Sequence, residues 1–180
     1  MLNWIEGSLK LRGTHDDILR FFNEGIMVYH SEWDSEKKEC NSFPTPKETW
    51  MRVKDFEDGT DVDILDNKWA YVEGTKGAFI TTEHNVTFIE KEPKPEDSTD
   101  DPIVVTACEV HQAWCFRPEE WLELSEKYNL DIRLYGIEKN YLFWQELIIQ
   151  NGEISKFKTE SYSGDYDAFI WECPFPWLGG

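Results

Sequence analysis

Residues 103–154 constrain this chain most, because they leave room for only one order of elements. Ile103 to Val110 is dense in β-branched residues and bounded by Pro102, which predicts a strand. Arg117-Pro118-Glu119-Glu120 then opens a helix. Proline fits the first turn, where its missing N–H costs nothing, and two carboxylates suit the positive end of the helix dipole. Trp121, Leu122, Leu124, Ser125 and Tyr128 continue at helical spacing as far as Asn129, a residue that tolerates a left-handed cap. Leu130 to Tyr135 alternates apolar and polar residues, as a half-buried strand does. Two further strands, Tyr141 to Ile149 and Ile154 to Lys158, are joined through Gln150-Asn151-Gly152-Glu153. Asn-Gly is the strongest short-range hairpin signal, since a type I′ turn needs positive φ at both central residues.

The first part of the chain repeats the strand-to-helix theme. Trp4 to Gly13 places Ile5, Leu9 and Leu11 on one face and predicts a strand. Thr14-His15-Asp16-Asp17 has the form of a capping box, and Ile18, Leu19, Phe21 and Phe22 supply a buried helical stripe that Gly25 ends. Residues 26–68 show no such period. Ile26 to Tyr29 reads as a short extended piece, and Phe43-Pro44-Thr45-Pro46 as an extended anchor that lays one Phe on the core. A connection this long without clear structure inside a compact domain is usually functional or mobile. Trp69 to Val72, Ala78 to Thr82 and Val86 to Ile89 are strand-like, with Gly74-Thr75-Lys76-Gly77 as a turn. Glu90 to Asp101 is an acid- and Pro-rich spacer.

Joined in order, these elements predict an α+β fold: a ferredoxin-like split β-α-β sandwich with an antiparallel sheet and two helices on one face. The domain is expected to span 1–160, with a long insertion at about 27–68, an acidic spacer at about 90–102 and a C-terminal β-hairpin. Residues 161–180 form an aromatic, Pro-rich tail expected to pack on it through Phe169, Trp171, Phe175 and Trp177. Several stretches carry a resemblance: Phe43 to Pro46, Thr106 to Pro118 with Ala113-Trp114, Glu120-Trp121 through Tyr128, and Asp131 to Tyr135. Together they resemble the YubB-type ferredoxin-like family of phages, plasmids and conjugative elements. The family's Trp-Gly-Thr-Lys-Trp element is present only in pieces, as Lys68-Trp69 and Gly74 to Gly77. The resemblance implies the fold and a mobile-element origin, and it implies no reaction.

The formal net charge of −18 bears on partners. Such a balance repels phosphates and anionic membranes and speeds association with basic surfaces. Direct nucleic-acid binding is therefore not expected, because Asp and Glu outnumber Lys and Arg two to one. The start of the chain lacks a basic, apolar leader, and no segment approaches the roughly 18 apolar residues of a membrane span. Four scattered cysteines do not make a disulfide scaffold, so a cytosol is the expected location, that of a bacterial host on the resemblance above.

No motif predicts catalysis, and no enzyme is expected. Cys108, His111 and Cys115 have zinc-ligand chemistry but lack a fourth donor, and Cys108 reads better as a small core residue. The acidic run lacks the ligand spacing of a calcium loop. No nucleophile elbow pairs a Ser with a His. Neither a metal nor a cofactor is expected.

What is left is binding. Asp55, Glu57, Asp58, Asp61, Asp63 and Asp66 form a carboxylate run with no basic residue between them. A basic channel built for phosphates binds such an array for the same electrostatic reason. The expected function is a non-enzymatic protein-binding factor with a basic-surfaced partner. Its sharpest form is an anti-defence inhibitor or nucleic-acid mimic that occupies the groove of a host nuclease. The alternatives are a nucleic-acid or nucleotide-binding accessory protein using an aromatic sheet face, and an enzyme whose site assembles only in three dimensions.

Overall fold

β1 (Trp4–Thr14) lies near the middle of the sheet and is paired along both of its edges. The computed structural model describes residues 3–65, 68–82, 87–92, 101–138 and 143–161. In chain order β1 is followed by α1 (His15–Glu24), β2 (Ile26–Met27), β3 (Tyr29–Asp34), β4 (Glu39–Pro44), a 3-10 turn (Lys47–Thr49), β5 (Met51–Asp55) and β6 (Gly59–Ile64). Then come β7 (Ala70–Val72), β8 (Ala78–Thr81), β9 (Phe88–Glu90), β10 (Ile103–Ala113), α2 (Pro118–Tyr128), β11 (Asp131–Glu138), β12 (Phe143–Gln150) and β13 (Glu153–Ser161). Eight strands make one antiparallel sheet in the order β13-β12-β11-β1-β10-β8-β7-β2. β3 and β4 pair apart from it, and β5, β6 and β9 form a third sheet.

This corrects the predicted ferredoxin-like α+β sandwich. The described chain is mostly strand, in one large and two small antiparallel sheets, and the two helices are a minor component. The physical reason lies in residues 26–64. β3 and β4 are polar or exposed on both faces, so they lack the period-two apolar pattern by which a strand is recognised. Phe43 is half exposed on β4 beside His30 and does not anchor on the core. The middle of the acidic spacer and the whole of the tail after Ser161 lie outside the described residues.

Strand alternation divides the large sheet into two faces. Ile5, Leu9 and Leu11 of β1 stand in register with Gln112, Cys108 and Thr106 of β10, and Leu9 and Leu11 with Leu134 and Ile132 of β11. Leu147 and Ile149 of β12 extend the same face. It is covered by Ile18, Phe21 and Phe22 of α1 and by Trp121, Leu124 and Tyr128 of α2, all buried. Phe21 and Tyr128 meet edge-on at 5.5 Å between ring centres, so the helices also touch each other. Trp50, Val62, Ile64 and Ile89 join this core from the inserted segment and the third sheet. Each large side chain so buried contributes about 1.5–3 kcal/mol.

The local signals behave as the residues dictate. The Thr14 hydroxyl accepts from the Asp17 N–H and caps α1. The last turn of α1 has no basic residue of its own, and Lys47 supplies one by donating to the carbonyls of Phe22 and Asn23. Asn129 closes α2 at φ 55°, and Asn151 and Gly152 turn the β12–β13 hairpin at φ 53° and 72°.

One close approach fixes the centre of the sheet. Gly7 and Gly136 stand directly opposite each other on β1 and β11. A Cβ on Gly7 would overlap the Tyr135 carbonyl and come within 2.6 Å of the Gly136 Cα, which is backbone and has no rotamer to change. Gly7→Ala is therefore expected to cost about 3 kcal/mol or more. The check is a lowered urea midpoint with an unchanged slope. A cost under about 1 kcal/mol would mean that the two strands part freely.

Candidate interaction surfaces

The acidic run is built into the β5–β6 hairpin, and the fold gives its members different tasks. Asp55 sits at the end of β5, where its carboxylate accepts from the Thr60 hydroxyl at 2.6 Å and from Lys91 at 3.2 Å. These two donors hold its carboxyl below the usual range. Thr60 in turn meets His15 Nε2 at 2.8 Å, which ties the hairpin to the start of α1. Asp61 and Asp63 stand across from Lys54 and Arg52 on β5. The run that is free of cations in sequence is thus crossed by cations in space. Glu57 and Asp58, exposed in the turn, have no such neighbour directly opposite. Phe56 projects between them and Asp55, half exposed, with its ring 6.4 Å from that of Phe88. Asp66 lies outside the described residues.

A second projection is the β3–β4 arm. Almost every residue in it is exposed, Trp33 by 66 %. Its turn is set by Asp34, whose carboxylate accepts from the N–H groups of Glu36 and Lys37, with Lys38 in a left-handed conformation. Tyr29, Trp33, Cys40 and Pro44 share one face, while Glu32, Asp34 and Glu39 share the other. A two-stranded hairpin standing alone is at best marginally stable in water. Among the described residues the arm is anchored at its base, through Tyr29 to Glu73 and Tyr71 and the Thr45 N–H to the Val28 carbonyl.

The third surface is the face of the large sheet turned away from the helices. Lys10 stands directly opposite Arg133, a like-charge pair that costs stability unless compensated. Compensation comes from Glu146, 7 % exposed at its side chain, which accepts from Arg133 at 2.6 Å and from Lys156 at 2.5 Å. Burial pushes the Glu146 carboxyl up, but Lys156 and Arg133 together outweigh it and hold the group below its ordinary value. Beside this cluster Tyr135 and Trp144 stack at 5.5 Å, and Lys158 lies 5.0 Å from the Trp144 ring. Arg117 and Lys127 belong to α2 and its N-cap, away from these rings.

The zinc candidates do not converge. Cys108 faces the helices in the core and His111 the opposite side of the same strand, as an odd spacing on β10 requires. Burial pushes the Cys108 thiol far up, so it is an inert core residue. Among the described residues no three His, Cys, Asp or Glu side chains are placed to hold a metal ion, and no helix is long and apolar enough to cross a membrane. Comparison with known protein families, with curated proteins and with solved structures returned no match, so function has to come from the surfaces themselves.

Because the Glu146 carboxyl is held below its unfolded value of about 4.3, its contribution is complete above that pH and is lost as pH falls through the lower, folded value. Glu146→Gln is expected to cost about 1–2 kcal/mol at neutral pH, modest because Arg133 and Lys156 are half exposed and screened. The gap between variant and parent should close in acid. A gap that stays constant down to low pH would remove the carboxylate from the account.

Proposed function

We propose that this chain works by binding, without chemistry of its own, a protein with a basic surface, and that the β5–β6 turn and the β3–β4 arm make the contact. The observation that carries this reading is Phe56, an exposed ring set among Asp55, Glu57 and Asp58 on a braced turn. Proteins bind through such combinations: a few aromatic anchors supply affinity, and surrounding charge supplies rate and selectivity. Trp33, among Glu32 and Asp34, repeats the pattern on the arm. The resemblance to the YubB-type family supplies a setting, a phage or plasmid in a bacterial cytosol. In that setting the reading extends to an inhibitor that occupies the phosphate groove of a host defence nuclease.

The test is affinity capture from bacterial lysate with the tagged chain, beside a variant carrying Phe56→Ser, Glu57→Gln and Asp58→Asn. These positions are exposed, so the fold should survive. The expected result is a partner released by high salt and captured at least about tenfold less by the variant, equivalent to about 1.4 kcal/mol. A partner held equally by both proteins, at any salt, would contradict the proposal.

A second reading is favoured by one observation, the cations Lys10, Arg133, Lys156 and Lys158 gathered beside the Tyr135–Trp144 stack. Stacked rings flanked by cations suit single-stranded nucleic acid. Fluorescence anisotropy with a labelled single-stranded oligonucleotide separates the two. The first reading predicts no binding at physiological salt. Salt-sensitive binding lost in Lys10→Glu/Lys156→Glu would favour the second.

A further inference from the structure

One row of side chains crosses the large sheet on the face away from the helices: Ile137, Glu6, His111, Phe79 and Tyr71, each directly opposite the next. Trp4 stands beside Glu6 on the same face of β1, and its ring meets Phe79 edge-on at 5.9 Å. Trp69, just before β7, lays its indole over the His111 imidazole at 3.9 Å and 27°. Trp4, Trp69, Phe79 and His111 thus wall a pocket of about 240 Å³. That is smaller than the 300–1,000 Å³ of sites for cofactors or drug-sized ligands, and it suits one long side chain.

The pocket's lining is aromatic, and two carboxylates stand beside His111 outside that lining. His111 Nε2 lies 3.2 Å from the Glu109 carboxylate and 3.9 Å from that of Glu6. Three π faces with carboxylates behind them favour an organic cation over a neutral apolar group, because ring quadrupole and carboxylate charge add. Among protein cations a planar guanidinium is the better match. It stacks on an indole, it presents paired donors to a carboxylate, and it is less strongly hydrated than an ammonium. We infer that this pocket receives an arginine side chain of a partner protein, with the guanidinium against Trp4 and Trp69 and its N–H groups turned to Glu6.

This site is separate from the hairpins and stands or falls apart from them. The probe is Nα-acetyl-arginine methylamide, titrated into the full-length chain while the indole N–H resonances are followed by NMR. The citrulline analogue, equal in shape and neutral, is the control. Trp4→Phe and Trp69→Phe assign the two relevant signals. The Trp121 indole, which donates to Gln112 in the core at 2.9 Å, reports on the fold. The expected result is a saturable shift of the Trp4 and Trp69 signals with arginine, at least about fivefold weaker with citrulline, and at least about fivefold weaker for Glu6→Gln with Trp121 unmoved. Equal shifts with both probes would show an apolar slot without charge recognition and overturn the inference. So would the absence of any shift, or an undiminished response in Glu6→Gln.

Discussion

The pairing of β1 on both edges is the constraint on which the rest depends. All eleven of its residues are matched by β10, and seven of them also by β11. Period-two alternation along that one strand then decides which residues of β10 and β11 face the helices and which face away. A slip of one residue would send Ile5, Leu9 and Leu11 to the polar side and Glu6, Lys10 and Arg12 into the core. The contact between Gly7 and Gly136 resists such a slip, since only a residue without Cβ fits where the two backbones come this close.

The same alternation sorts chemistry. On the helix side, apolar side chains form the core; two buried glutamines among them are satisfied in place, while the Thr106 and Tyr128 hydroxyls are buried without a hydrogen-bond partner among the described residues. Gln112 accepts from the Trp121 indole, and Gln145 accepts from the Phe116 N–H. On the other side, cations gather around Glu146 at one end, and rings gather around His111 and Glu6 at another. A chain of net charge −18 therefore presents local surfaces of quite different character. Its most exposed ring, Trp33, stands on a small sheet, while Trp114 after β10 and Phe157 on β13 are half exposed. On the proposed function, binding falls to the exposed turns of the β3–β4 arm and the β5–β6 hairpin, as is common where a rigid scaffold carries its recognition residues on loops.

How far the sequence shows this depends on whether a signal is local. The Thr14 cap, the Pro118 start, the Asn129 stop and the Asn151-Gly152 turn each rest on a few adjacent residues, and each forms where the residues point. Cys108 and His111 belong to opposite faces by strand parity alone, so their failure to converge is readable as soon as β10 is recognised as a strand. The fold class is not legible in the sequence, because β3 and β4 bury nothing and leave no apolar period. The acidic run looked purer than it is because its counter-charges, Arg52, Lys54 and Lys91, arrive by pairing and not by adjacency. Neither the Lys10–Arg133 pair nor the Trp69–His111 stack has any local signature. Both are products of register between distant strands.

The central claim is that the two small sheets meet the basic-surfaced protein partner. Hydrogen–deuterium exchange of the chain alone and in complex with the captured partner tests it most directly. The account predicts new protection across 29–44 and 51–64, with the amides of β11, β12 and β13 unchanged. Protection confined to β11, β12 and β13, with both hairpins exchanging as they do in the free chain, would contradict it.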